Sequence, residues 1–304
     1  QKDPREWERR QLLDTYKTFG CESGNPTFRY SLIDGVKDGY LVNPIVVDAR
    51  TDITTELLSE KGYSVMVETE EGKEEEMLFF QRDFEKKFYS DETNRVFCKT
   101  FMENALKDPL SDEIGKSIIY CVSQNHASKV TQILNELAAL LYPGKYKSDF
   151  AVQVTSTIPD AQQFAINFSD KNNNLNGRTE FIEGYKSSKT RVCVTVGMMT
   201  TGYDCQDILN LCMMRPVFSP TDFIQIKGRG TRKYLFTHSV KEGHEVEALK
   251  ASKDKFKLFD FFANCEYFEE KFNYDEILKL PVKSGYTGGG EGGGVTAEEF
   301  ANYN

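Results

Sequence analysis

From Gly115 onward, short and almost wholly apolar runs alternate with longer segments in which apolar residues recur every three or four positions. The runs SIIYCVS, FAVQVTS, RVCVTV, ILNLCMM and KFKLFDFF have the length and β-branched content of strands. Each is nearly all apolar, which implies a parallel sheet covered on both faces. Between the first two lies QNHASKVTQILNELAALL, a helix with Val130, Ile133, Leu134, Leu137 and Leu141 on one face, stopped by YPG. Further helices are expected around 160–168, 177–186 and 219–230. Strands separated by helices fold as an α/β parallel sheet flanked by helices, with functional residues expected beyond the strands' carboxyl ends.

The chain before Gly115 has a different texture. Pro4 to about Thr18 can form a helix burying Trp7, Leu13 and Tyr16, ended by CESGNPTF. YSLIDGVKDGYLVNPIVVDAR reads as a short helix, a turn and a strand at Ile45 to Asp48. Residues 53 to 110 are more charged and helix-like, with one alternating strand, YSVMVET, and an acidic tract at 68–76 that reads as a solvated loop. SGYTGGGEGGG has the composition of a flexible linker.

Composition removes several function classes. With 39% hydrophobic and 28% charged residues in 304, a sizeable core is available and global disorder is excluded. No window reaches the roughly 18 to 20 apolar residues of a membrane span, so a soluble, cytoplasmic protein without membrane contact is expected. Seven cysteines, an odd number without a C-x-x-C pair, read as buried thiols. His126, His238 and His244 have no ligand spacing, so no metal site is expected on this chain. A net charge of −9 argues against a nucleic-acid coat but leaves room for a local basic strip. The opening residues carry no methionine and read as the start of a fragment.

Two segments carry the chemistry. GMMTTGYDCQD follows the RVCVTV strand and offers Thr200, Thr201, Gly202 and Asp204. FIQIKGRGTRKY offers Gln225, Lys227, Gly228, Arg229, Gly230, Arg232 and Lys233. Arginines three apart on a helix share a face and could converge on one anion, and glycines flanking the first allow close backbone approach. Plainer readings stand beside these. Asp204 could be a turn residue, Thr200 and Thr201 turn or cap hydroxyls, and Ser123, Gln124 and Asn125 an ordinary helix cap.

The order of a strand, T-T-G-x-D, an apolar strand and Q-x-x-G-R-G-x-R resembles motifs V and VI of superfamily 2 helicases, with SIIYCVSQNHA as motif IV. Ser117 to Lys233 looks like the second RecA-like (P-loop NTPase-like) lobe of such a motor, with RTEFIEGYKSSK as the helix before motif V. YSLIDGVKDGYLV, GMMTTGYD, QIKGRGTRKY and KLFDFF narrow the resemblance to the restriction (R) subunit of type I restriction-modification enzymes, over most of residues 27 to 270. It implies a lead-in from the first lobe at 1–44, the second lobe at 45–281 with a helical insertion about 53–112, and a linker with the start of a C-terminal region at 282–304.

The resemblance assigns Arg229 and Arg232 to the γ-phosphate of ATP as the catalytic pair. Gln225, Gly202, Asp204 and Gly228 would line the nucleotide side, and Thr200, Thr201, Ser123, Gln124 and Asn125 would touch DNA phosphates. Gly197 stands where relatives often carry an acid. The sequence has no G-x-x-x-x-G-K-[ST] and no D-E-A-H-type box. ATP and Mg2+ would therefore need a first lobe, and the isolated chain is expected to be inactive. The implied partners are double-stranded DNA and the modification and specificity subunits. Another superfamily 2 DNA helicase, a type III restriction subunit and a non-enzymatic RecA-like docking module are the alternatives.

Overall fold

The computed structural model describes residues 20, 28, 30–49, 90–170, 175–179, 182, 184–217, 220–242, 245–266 and 268. The expected helix at 4–18, the strand YSVMVET, the acidic tract and the Gly-rich linker lie outside them.

Six strands form one sheet: β1 (Asn43–Asp48), β2 (Ser117–Cys121), β3 (Ala151–Gln153), β4 (Val192–Thr195), β5 (Asn210–Met214) and β8 (Lys255–Asp260). Their order is β1-β8-β5-β2-β4-β3, and all five pairings are parallel. Every residue of β2, β4 and β5 is buried, which is why their sequences show no alternation. The helices are α1 (Leu32–Lys37), α2 (Asp91–Asn104), α3 (Gln124–Leu141), α4 (Ala161–Ser169), α5 (Pro220–Gly230) and the short α6 (Asn264–Glu266).

The period of two along each strand divides the core into two layers. Ile119, Val194, Cys212 and Phe259 pack under α2 and α3, while Ile118, Cys193, Leu211 and Leu258 pack under α4 and α5. Phe97 of α2 stacks on Phe261 at 4.2 Å between centroids, and Phe101 meets Phe259 edge-on at 5.5 Å. Full burial of such side chains stabilises by about 1.5–3 kcal/mol each. Among the described residues the six cysteines, all free, follow the same partition, with Cys98, Cys121 and Cys212 in the first layer and Cys193, Cys205 and Cys265 in the second. On α3, Val130, Ile133 and Leu134 are buried as expected, but Leu141 at the helix end is exposed.

Two expectations fail. The described residues of 177–186 form no helix: Arg178 instead bridges Ser188, and positive φ at Asn176 (59°), Gly177 (87°) and Gly184 (80°) breaks any helical path. The segment after α5 forms an antiparallel hairpin, β6 (Leu235–Glu242) with β7 (Glu245–Ser252), that the sequence reading did not anticipate.

At the amino edge of the sheet, Arg191 is fully buried before β4. Its guanidinium donates to the Ile114 carbonyl at 2.6 Å, to Ser187 Oγ at 2.7 Å and to the Ser188 carbonyl at 3.0 Å. Asp108 lies 3.6 Å away and accepts from the Tyr185 hydroxyl at 2.7 Å. Glu113 sits 3.8 Å from Arg191 and 3.3 Å from Lys145, at ion-pair range without a well-formed hydrogen bond, and burial pushes its carboxyl up.

Candidate functional site

The loop from β4 to β5 starts at the carboxyl edge and must return to the amino edge, because the two strands run parallel. On the way it runs along one face of α5. Thr201 Oγ1 donates to Gln225 Oε1 at 2.8 Å, Arg229 Nη1 donates to the Tyr203 carbonyl, and Arg232 Nε donates to Asp204 Oδ1 at 3.2 Å. Gln225 and Arg229 lie one turn apart on α5 and Arg232 lies just past its end, so successive loop residues meet successive positions along this segment. Arg229 Nε also donates to the Gln225 carbonyl at 3.1 Å.

The arginines do not share a helical face as expected. Helix α5 ends at Gly230, and Arg232 lies beyond it. The flanking glycines differ as well. Gly228 faces open space, whereas a Cβ on Gly230 would fall 2.2 Å from the Phe256 ring, so Gly230 serves helix-on-strand packing. Phe256 is the second residue of β8, and the Thr231 carbonyl accepts from Val42 N just ahead of β1. The arginine end of α5 therefore sits at the amino edge of the sheet, because a helix after a parallel strand runs back along it. The side chains of Arg232 and Asp204 are 47% and 57% exposed, and both terminal amino groups of Arg232 lack a described protein partner.

The rest of the loop is anchored differently. The Asp207 carboxylate meets the buried Lys116 ammonium at 2.9 Å, and Lys116 also donates to the Phe168 carbonyl at 2.6 Å. Cys205 Sγ donates to Asp207 Oδ1 at 3.1 Å, and the Tyr203 hydroxyl donates to the Ala165 carbonyl at 3.1 Å. Burial opposes the charged form of Asp207, yet Lys116 outweighs it and holds the carboxyl below its usual value; Lys116 is raised in turn against its own burial. Burial pushes the Cys205 thiol up. This clamp holds the loop although Gly197 offers no acid.

A second polar group lies at the carboxyl edge. Ser123 caps α3, its Oγ accepting from His126 N at 3.2 Å, as the plain capping reading expects. The Gln124 side chain reaches Ser156 at 3.4 Å and accepts from the Thr157 hydroxyl, while Asn125 is exposed. His126 is buried: its Nδ1 accepts from Val122 N at 3.3 Å, leaving Nε2 as the donor to Asn94 Oδ1 at 3.0 Å. Burial pulls its pKa down to about 3. Thr200 is buried with its hydroxyl unpartnered among the described residues, so Thr201 and Gly202 form the exposed tip, with Gly202 at φ 68°.

Sequence reasoning thus selected the loop and helix, but the structure splits the residues between opposite edges of the sheet. It missed Tyr203 as the carbonyl facing Arg229, and the Lys116, Cys205 and Asp207 clamp. A charged Lys116 abutting the strand SIIYC, buried throughout, was the available signal. Among the described residues, no three His, Cys, Asp or Glu side chains gather as metal ligands, and no helix is long and apolar enough to cross a membrane.

The topology is a RecA-like parallel α/β sheet, and a solved structure shares the fold. A fragment assigned as an HsdR subunit of a type I restriction enzyme from Vibrio vulnificus YJ016 superposes with a TM-score of 0.51 at 22% identity, covering 88% of this chain and 40% of that one. No family model matches the chain. In sequence it is 28% identical over 218 residues to the type I restriction enzyme EcoKI endonuclease subunit of Escherichia coli K12, and 24% identical over 209 residues to the EcoAI endonuclease subunit of Escherichia coli. Each match covers 69% of this chain but only 17% and 23% of the relatives, so the chain spans about a fifth of their length. The chain is homologous to that segment of type I restriction endonuclease subunits.

Proposed function

We propose that this chain is the second motor lobe of a type I restriction endonuclease subunit, coupling ATP hydrolysis to movement along double-stranded DNA that leads to cleavage. The observation that carries the reading is the set of contacts between the loop 201–204 and α5. A shift of Arg229 or Arg232 toward a phosphate must release Tyr203 or Asp204, and the loop tip at Thr201 then moves with Gln225. In this reading Thr201, Ser123, Gln124 and Asn125 face the DNA backbone. Thr200 positions the tip from beneath, and Gly202, Asp204, Gln225 and Gly228 couple the tip to the nucleotide.

The residues fit an anionic nucleotide. Arg232 presents a half-exposed guanidinium held through Nε alone, leaving its terminal amino groups for phosphate oxygens. A phosphate loop and the Mg2+ carboxylates would come from a first lobe, and modification and specificity subunits would complete the complex. Helix α2 belongs to the core, so any insertion lies before Ser90.

In a longer chain that includes a phosphate loop, Arg232→Ala should lower DNA-stimulated ATP turnover by roughly 10³-fold or more with a smaller loss of ATP affinity. Arg232→Lys should not restore it, because an ammonium cannot reproduce the planar fork. Near wild-type turnover in the alanine variant at saturating DNA would falsify the assignment and favour a docking module.

A further inference from the structure

A cavity of about 640 Å³ opens beside the arginine end of α5. Its walls are the chain ahead of β1, Gln206 of the loop, the exit from α5 at Lys233 and Tyr234, and the β7–β8 turn at Lys253 and Asp254. The volume falls within the roughly 300–1,000 Å³ of small-molecule sites.

Lys253 is the unusual wall residue. It is 5% exposed, and its backbone N–H donates to the Tyr234 carbonyl at 2.8 Å, which fixes the turn. Its Nζ donates to the Gln206 carbonyl at 3.0 Å. An ammonium has three donors, and this one has a single described acceptor. Asp207, the acid whose charge acts on it, is already engaged with Lys116. Burial is the main reason its pKa falls to about 8, and Arg232 nearby lowers it further. Lys233, on the same cavity, is exposed and makes no ion pair among the described residues. The one carboxylate on the wall, Asp254, is also exposed. In a chain of net charge −9, this is a cavity where cations outnumber acids and the deepest cation has one described acceptor for three donors.

We propose that the cavity binds a small phosphate-bearing anion, gripped by the buried Lys253 ammonium and closed over by Lys233. A phosphate would supply the acceptors that Lys253 lacks, and charge-assisted hydrogen bonds of this kind are about twice as strong as neutral ones. A duplex carries its phosphates on a wide rod and could not deliver them to an amine this deep, so the ligand is a small molecule. The proposal does not rest on the motor reading, because neither lysine joins the contacts between α5 and the loop.

The test uses the full 304-residue chain and inorganic pyrophosphate. Calorimetry should detect binding that weakens at least about tenfold in Lys253→Met and severalfold in Lys233→Ala, tenfold being about 1.4 kcal/mol. A soluble amine-acylating reagent at pH 8, read by peptide mass spectrometry, should modify Lys253 about tenfold more slowly when pyrophosphate is present, while the exposed Lys250 is unaffected. The acylation measurement needs no variant, so a misfolded Lys253→Met leaves the test intact. Failure of millimolar pyrophosphate to protect Lys253, or equal affinity in both variants, overturns the proposal. So does equal protection by sulfate, or protection by a DNA duplex alone.

Discussion

The two halves of the loop between β4 and β5 are held by opposite means. Thr201 and Asp204 are tied to Gln225 and Arg232 by hydrogen bonds at the surface, where water can replace either partner. Residues 205–207 are tied to the sheet by a buried ion pair, a buried thiol and a carbonyl, where nothing can. Exposed pairs are worth little to stability and so are free to change partner, whereas a broken buried pair leaves a charge without solvent. The loop thus joins a segment able to switch to a fixed base within four residues.

The sharpest way to break this contrast is to remove one member of the buried pair. Lys116→Met should destabilise the lobe by roughly 3–5 kcal/mol in urea unfolding, because Asp207 is left buried and uncompensated. Lys116→Met combined with Asp207→Leu should recover much of that loss. The pair also predicts an acid limit: with the folded carboxyl held below its usual value, its contribution is present above about pH 4 and is lost as pH falls through the folded value. A Lys116→Met stability within error of wild type would erase the distinction between the halves.

A smaller effect is expected on the other side of the loop. Gly230→Ala forces a Cβ against the buried Phe256 ring and should cost about 1–3 kcal/mol of overpacking. It should also disturb the contacts at Arg229 and Asp204, visible as shifts of their backbone amide resonances. The smallest effect is Asp204→Ala, which should change stability by no more than roughly 0.5 kcal/mol. A larger loss there would show that the exposed half is as fixed as the base.

The sheet was legible because parallel strands buried on both faces write themselves as unbroken apolar runs. The fully buried β2, β4 and β5 follow from that feature, whereas β1, half-exposed at the sheet edge, was marked only by its short apolar run. The hairpin was not, because LFTHSVKEGHEVEALKAS mixes charge into its strands and resembles a loop until its cross-strand pairing is seen. The helix expected at 177–186 failed for a local reason, since backbone at positive φ cannot propagate a helix. For the candidate site, residue types pointed to a loop and a helix that the structure brings into contact. The end of α5 two residues before Arg232, the Phe256 contact of Gly230 and the choice of Lys116 for Asp207 depend on neighbours distant in sequence.

The distribution of thiols has a consequence of its own. Cys98, Cys121 and Cys212 lie under one face of the sheet and Cys193, Cys205 and Cys265 under the other, all reduced and all sealed from solvent. A sealed thiol reacts only during the moments when its surroundings open, at a rate set by the free energy of that opening. The lobe therefore contains two independent clocks, one on each side of its central layer. A face that breathes alone will expose its own three sulfurs while the other three keep silent.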